Sequence, residues 1–220
     1  MTSKNAIVFI DGNNWYHNAK SWFSKPSDID FWKLSKFICD YFKLNLLDIF
    51  YYNSVPSISD GETIYYRHMQ FLSDLGKQRI HVITRKLQRN STKEIIAERE
   101  SILRGLDLCV DCKPLVKTGF IESLGSIEKK EKGVDVQIAV DMINKSIITK
   151  ECDCCILISG DADFLPAMQI IKTSEKEVIT SMVPYGYSNQ LKSGGFRYLI
   201  LRRAELIEQC MKSYKEIKKS

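Results

Sequence analysis

The chain has 220 residues, of which 44% are hydrophobic and 27% are charged, and its formal net charge is +5. This length can bury a sizeable core, and the mildly basic charge is compatible with a polyanionic partner without identifying one. No run approaches the roughly 18 apolar residues of a membrane span, and the first residues lack the order of segments in a signal peptide. Because the seven cysteines are an odd number, we expect reduced thiols and a cytoplasmic protein.

Short β-branched runs alternate with stretches of helical periodicity along the chain. Six runs predict strands, over residues 6–10, 46–53, 79–84, 113–120, 154–159 and 177–183. Between several of them the spacing predicts helices, over 31–43, 62–76 and 91–105. This alternation predicts an α/β fold, a three-layer α/β/α sandwich with a mostly parallel central sheet.

Local signals support the helix boundaries. Asp28 or Asp30 can cap the helix over 31–43, and Ser91 with Glu94 forms a capping box for the helix over 91–105. The segment 119–133 reads as a polar loop.

Aspartates follow two of the predicted strands. Asp11 ends the first strand in "VFIDGNN", and Asp161 and Asp163 follow the fifth in "ISGDADF". Ligands of parallel sheets bind beyond the carboxyl ends of the strands, so these side chains are expected to converge there. Asp135 begins a further helix, and Asp141 lies about 120° around that helix and about 9 Å along it. We therefore favour Asp135 as a direct ligand and Asp141 as a more distant or structural acid.

Each of these acids also has a structural alternative. Asp163 suits the N-cap of a helix beginning near Phe164, and Asp135 suits a helix N-terminus. Capping does not explain Asp161 beside Asp163, because close carboxylates are unfavourable unless a cation neutralises them or they share protons. A site made of carboxylates selects Mg²⁺ or Mn²⁺, and the chemistry that matches it is metal-assisted hydrolysis of a phosphodiester.

Three segments resemble the NYN domain family, within the PIN-like ribonuclease group. They are "FIDGNN" at 9–14, "KGVDVQIAVDM" at 132–142 and "LISGDADFLP" at 157–166. The resemblance implies metal-dependent RNA cleavage on an α/β fold. It also implies catalytic, metal-binding roles for four aspartates and supporting or substrate-binding roles for residues around them. The four are Asp11, Asp135, Asp161 and Asp163, and the supporting residues are Asn14, Asp141, Ser159 and Lys132.

Basic residues cluster at both ends of the span from 85 to 132. They are Arg85, Lys86 and Arg89 at its start, and Lys129 and Lys130 at its end. Cations beside the acids suit an RNA phosphate path, although a solvated surface is the alternative. We expect one domain over 1–205 with a specificity insertion around 85–132, followed by a basic tail over 206–220.

Several functions compete. The leading hypothesis is a metal-dependent endoribonuclease using one or two Mg²⁺ or Mn²⁺ ions on single-stranded or structured RNA, with a homodimer as one way to shape the groove. The alternative is a non-catalytic RNA-binding or regulatory module. An aspartyl phosphatase would require an acid at position 13, which is Asn. The turn after the first strand lacks the glycine spacing of a nucleotide-cofactor site. Zinc at the cysteine clusters around 109–112 and 152–155 is a lesser alternative to ordinary thiols.

Overall fold

The protein is represented by a computed structural model that describes residues 3–23, 25–58, 61–86, 88–89, 92–117, 129–130 and 133–212. The strands are β1 Asn5–Asp11, β2 Asn45–Val55, β3 His81–Lys86, β4 Gln88–Arg89, β5 Lys129–Lys130, β6 Cys154–Ile158, β7 Glu177–Met182 and β8 Arg197–Ile200. The helices are α1 Gly12–Ala19, α2 Phe31–Tyr41, α3 Glu62–Lys77, α4 Thr92–Gly105, α5 Cys112–Lys117, α6 Val134–Ile143, α7 Leu165–Thr173, α8 Gln190–Ser193 and α9 Arg203–Gln209. Helix α6 continues as a π-helical turn, Asn144–Ile148, and 3₁₀ turns form at Pro26–Asp28 and Ala162–Phe164. None of the described helices is both long and apolar enough to cross a membrane.

The main sheet contains six parallel strands within the described residues, in the order β3-β2-β1-β6-β7-β8. Because β1 lies between β2 and β6, residues 6–10 are almost completely buried. Alternate β1 side chains point to opposite faces. Val8 and Ile10 join the core packed with α2, whereas Ile7 and Phe9 join the core packed with α6 and α7. The predicted three-layer α/β/α fold is confirmed.

The segment Lys86–Lys132 forms a compact unit of its own, and Met1–Arg85 with Gly133–Ser220 forms the other. The smaller unit contains α4, α5 and an antiparallel pairing of β4 with β5. Here one prediction was wrong: residues 113–117, expected to begin a strand, lie in α5. Pro114 in the first turn of that helix is favourable, because proline lacks only an N–H that would be unpaired there. Residues 118–120 of the predicted strand, most of the loop over 119–133 and Ser91 lie outside the described residues.

The larger unit follows the predicted helix signals closely. Asp30 caps α2, its Oδ1 accepting from the backbone N–H of Lys33 at 3.0 Å. Strand β8 was not predicted. Helix α9 contributes Leu206 to the core packed with α2, and Cys210 follows it into the same core. These two residues, which were assigned to a tail over 206–220, therefore pack against the body.

Candidate functional site

Asp11 is the last residue of β1 and the N-cap of α1. Its Oδ1 accepts from the backbone N–H of Asn14 at 3.0 Å, and its Oδ2 accepts from the hydroxyl of Ser159 at 3.0 Å. The residue is only 3% exposed. The strand-to-helix turn therefore holds a buried carboxylate in one orientation at the carboxyl edge of the sheet.

The end of β6 is joined to the same turn. Ser159 Oγ, which donates to Asp11, also accepts from the backbone N–H of Asp161 at 3.2 Å. Asn14 Oδ1 accepts from the backbone N–H of Gly160 at 2.9 Å. A Cβ on Gly160 would lie 2.9 Å from the carbonyl oxygen of Gly186, so only glycine fits this close approach. Asn14 and Ser159 thus fix the two strand ends relative to each other.

Asp161 and Asp163 lie in the turn that follows. Asp161 is the N-cap of the 3₁₀ turn, and its Oδ1 accepts from the backbone N–H of Asp163 at 2.9 Å. The structural alternative in which Asp163 caps the following helix was wrong. A 3₁₀ turn precedes α7, which places the cap two residues earlier, and Phe164 occupies the N-cap position of α7 without a side-chain bond. The Asp163 side chain is exposed.

Asp135 lies in the first turn of α6, which packs against the 3₁₀ turn carrying Asp163. Burial raises the pKa of the Asp135 carboxyl, and the charges of Asp161 and Asp163 raise it further. Three of the predicted ligands are therefore linked electrostatically, because the charges of Asp161 and Asp163 disfavour the ionised form of Asp135.

Asp141, further along α6, connects this helix to β2. Its Oδ2 accepts from the hydroxyl of Tyr52 at 2.9 Å, and its Oδ1 accepts from the side-chain amide of Gln137 at 3.0 Å. Gln137 Oε1 in turn accepts from the guanidinium of Arg85. Burial, followed by the charge of Asp141, raises the pKa of Tyr52, so the phenol remains a donor. These contacts fix the orientation of the helix that carries Asp135.

The predicted cations fall in both units. Arg85 contacts Gln137 within the larger unit. In the smaller unit, Arg89 is paired with Lys129, and Gln88 with Lys130, across β4 and β5. The side chains of Lys86, Arg89, Lys129 and Lys130, and the whole of Lys132, lie outside the described residues.

A shared metal site requires several ligating side chains to converge on one point. Within the residues that the structure describes, no three His, Cys, Asp or Glu side chains approach closely enough to hold one ion. This covers the cysteines, all of which are free thiols; Cys152, Cys154 and Cys155 are buried. The donors nevertheless suit a hard cation, because all of them are carboxylate oxygens. The charges of Asp161 and Asp163 also act on the half-buried Asp135 and raise the pKa of its carboxyl. The assignment of the four aspartates as metal ligands stays a prediction.

The sequence did not reveal the contribution of β2. Tyr51 packs so closely on the turn after Asp11 that a Cβ on Gly12 would lie 2.5 Å from its phenol oxygen. Burial, followed by the charge of Asp11, raises the pKa of Tyr51. Asn53 and Ser54 are buried beside it. The available signal was the polar pair Asn53 and Ser54 directly after the aromatic run of this strand, in "FYYNS".

The protein is an α/β protein with a parallel sheet, and Asp11 and Asp161 lie at the carboxyl ends of two neighbouring strands. The model of the NYN domain matches residues 5–197, and the chain belongs to this family, whose members have a PIN-like nuclease fold. A crystal structure of a protein of unknown function from Vibrio parahaemolyticus RIMD 2210633 is similar, with a TM-score of 0.55 and 18% identity, over 92% of this chain and 97% of that one. At this identity the likeness concerns the fold alone. No curated protein matches the sequence.

Proposed function

We propose that the protein is a metal-dependent ribonuclease that hydrolyses RNA phosphodiester bonds. The observation that carries this proposal is that the charges of Asp161 and Asp163 act on Asp135 and raise the pKa of its carboxyl, beside the strand end at which Asp11 is held. Carboxylates in such proximity are unfavourable alone and become favourable when a divalent cation lies among them. Membership of a nuclease-fold family supports the same conclusion.

The proposed ligands are Asp11, Asp135, Asp161 and Asp163, and the proposed ion is Mg²⁺ or Mn²⁺. When bound, such an ion lowers the pKa of coordinated water and stabilises negative charge on the leaving oxygen.

The chain's own residues position the acids. Ser159 and the N–H of Asn14 hold both oxygens of Asp11, and Asp161 is held as the cap of its turn. Asp141 holds α6, and thereby Asp135, against β2 through Tyr52. Preorganised carboxylates need little rearrangement when charge develops at the phosphate.

RNA is the proposed partner because the chain carries basic residues on segments that flank the acids in sequence. The β4–β5 pairing brings the backbone of Arg89 opposite that of Lys129, which concentrates cationic residues on one ribbon of the smaller unit. We propose that the unit Lys86–Lys132 is a specificity insertion whose cations hold the phosphates of the substrate in position.

A non-catalytic RNA-binding module is the second candidate. It is favoured by the absence, among the described side chains, of three metal-ligating groups close enough to share an ion. In that case the carboxylates would have a structural role, as the capping bonds of Asp11 and Asp161 illustrate.

Incubation of the purified protein with labelled RNA and DNA of one sequence, in Mn²⁺, Mg²⁺ or EDTA, distinguishes the two. The proposal expects cleavage of RNA that requires a divalent ion and stops in EDTA. RNA binding without cleavage under every metal condition would favour the regulatory module. Cleavage that persists in EDTA would exclude the metal-dependent mechanism.

A further inference from the structure

A cavity of about 510 Å³ lies beside the acidic edge, between α1, the 3₁₀ turn Pro26–Asp28, α3 and the end of β2. Its size falls within the range of roughly 300–1,000 Å³ that is typical of small-ligand pockets. Its walls combine aromatic rings with a few polar and cationic groups. None of these residues belongs to the proposed metal-binding set.

The cavity adjoins the proposed catalytic residues through two of its walls. Tyr51 lines it and packs on Gly12, the residue that follows Asp11. Asn13 lines it as well, and the Asn13 side-chain amide donates to Ser54 Oγ at 2.8 Å. A ligand in the cavity would therefore lie next to any phosphate held at the carboxyl end of β1.

Aromatic side chains provide the apolar surface. Trp15, Phe31 and Tyr51 are buried and form fixed walls, whereas Tyr16 is 53% exposed. The Trp15 indole N–H is already used, because it donates to the carbonyl oxygen of Pro26 at 3.4 Å. An exposed aromatic ring over a cavity with rigid apolar walls suits a flat, partly polar ligand that stacks, as a nucleobase does.

Polar groups in the lining suit the edge and backbone of a nucleotide. His68 Nε2 is buried and has no hydrogen-bond partner within the described part of the chain. Burial lowers the pKa of His68, so the ring is neutral and offers one donor and one acceptor. Lys25 and Arg67 are exposed cations in the same lining and are available to phosphates.

We propose that this cavity binds one nucleobase of the RNA strand, immediately next to the phosphate that is cleaved. The inference rests on the proposed function for the identity of the polymer. In this proposal, Tyr16 stacks on the base and His68 binds the polar edge of the base. Arg67 and Lys25 contact the adjoining phosphates.

The test is a double-mutant binding cycle in the 220-residue Asp161→Asn protein in EDTA, so that no RNA is cleaved. Fluorescence anisotropy measures the affinity for a short single-stranded RNA and for a series of oligonucleotides, each with one abasic position. Tyr16→Ala removes the proposed stacking ring. Tyr66→Ala is the matched control, because Tyr66 is 58% exposed, lies on α3 and does not line the cavity.

Tyr16→Ala is expected to weaken binding about tenfold or more, the loss expected when one base no longer stacks. In the Asp161→Asn protein, an abasic site at one position of the RNA should reduce the affinity by the same factor. In the protein that also carries Tyr16→Ala, that abasic site should cause no further loss of affinity. Tyr66→Ala should leave affinity unchanged. Equal losses in the two tyrosine variants, an abasic effect that persists fully in Tyr16→Ala, or no measurable RNA binding would overturn the proposal.

The outcome is independent of catalysis. If the parent sequence with Asp161 restored cleaves RNA but the cycle shows no coupling, the nuclease proposal stands and the base pocket does not. If coupling is observed but no metal supports cleavage, the cavity stands as a base-binding site, and the nuclease proposal does not stand.

Discussion

The buried contact between Ser159 and Asp11 predicts a specific loss of stability. Ser159→Ala removes a hydroxyl that donates to a carboxylate in a residue 3% exposed. Hydrogen bonds to charged groups contribute about 1.5–3 kcal/mol, against about 0.5–1.5 kcal/mol for neutral ones. For a chain of this size each kcal/mol shifts Tm by about 2–4 °C, so the expected decrease is about 3–12 °C.

Two other buried serines make the comparison quantitative. Ser146 Oγ donates to the neutral carbonyl oxygen of Met142 at 2.6 Å, and Ser35 Oγ has no partner among the described residues. Ser146→Ala should therefore lower Tm by about 1–6 °C, and Ser35→Ala should leave it unchanged or raise it slightly. All three changes are measured by calorimetry and urea unfolding in EDTA at neutral pH. If Ser159→Ala destabilises no more than Ser35→Ala, the hydroxyl does not hold Asp11 as described.

Two further perturbations test the same region. The pKa of Asp135 in the folded protein is raised above its unfolded value of 3.8. Ionisation of this carboxyl therefore lowers the free energy of unfolding as the pH rises from 3.8 through the folded-state pKa. Asp135→Asn should therefore raise Tm at pH 7.5 in EDTA, and the difference should vanish below pH 3.8; an unchanged Tm would refute the electrostatic contact. Gly12→Ala should cost about 1–3 kcal/mol because its Cβ would meet the Tyr51 ring at 2.5 Å. Gly76→Ala is the control in α3, where nothing lies within 4 Å, and urea unfolding should show no loss there.

Much of the fold could be predicted because its signals are local. The apolar runs of β1, β6 and β7 and the Asp30 cap follow from a few consecutive residues. Strand β8 was missed because it has only four residues, two of them exposed, so its pairing with β7 depends on tertiary context. The segment at 113–117 was misassigned because a short apolar run has no distinct period.

The candidate site was only partly predictable for the same reason. Parallel-sheet geometry led from the sequence to Asp11 and Asp161, which the structure joins through Ser159. Which aspartate caps the turn depended on whether a 3₁₀ turn precedes α7, and the residue types do not specify that. The packing of Tyr51 on Gly12 joins residues about forty positions apart, and no local pattern marks it.

We propose above that the aspartates at the carboxyl edge of the sheet hold a divalent ion and that this ion supports the hydrolysis of RNA by water. The most direct test of this claim is the single-turnover rate of RNA cleavage during a Mn²⁺ titration of the wild type and Asp161→Asn. Asparagine caps a helix turn as well as aspartate does, so this variant removes charge while keeping the bond to Asp163. Asp153→Asn is the control, because it removes the same charge at the opposite end of β6. Asp153 is exposed, and like Asp161 it accepts from a backbone N–H, that of Asn5 at 3.1 Å.

We predict cleavage that saturates with Mn²⁺ in the wild type and in Asp153→Asn. Loss of a metal ligand removes several kcal/mol of transition-state stabilisation, so Asp161→Asn should be at least about 100-fold slower. Equal rates in Asp161→Asn and the wild type, or a wild-type rate independent of Mn²⁺, would contradict the claim.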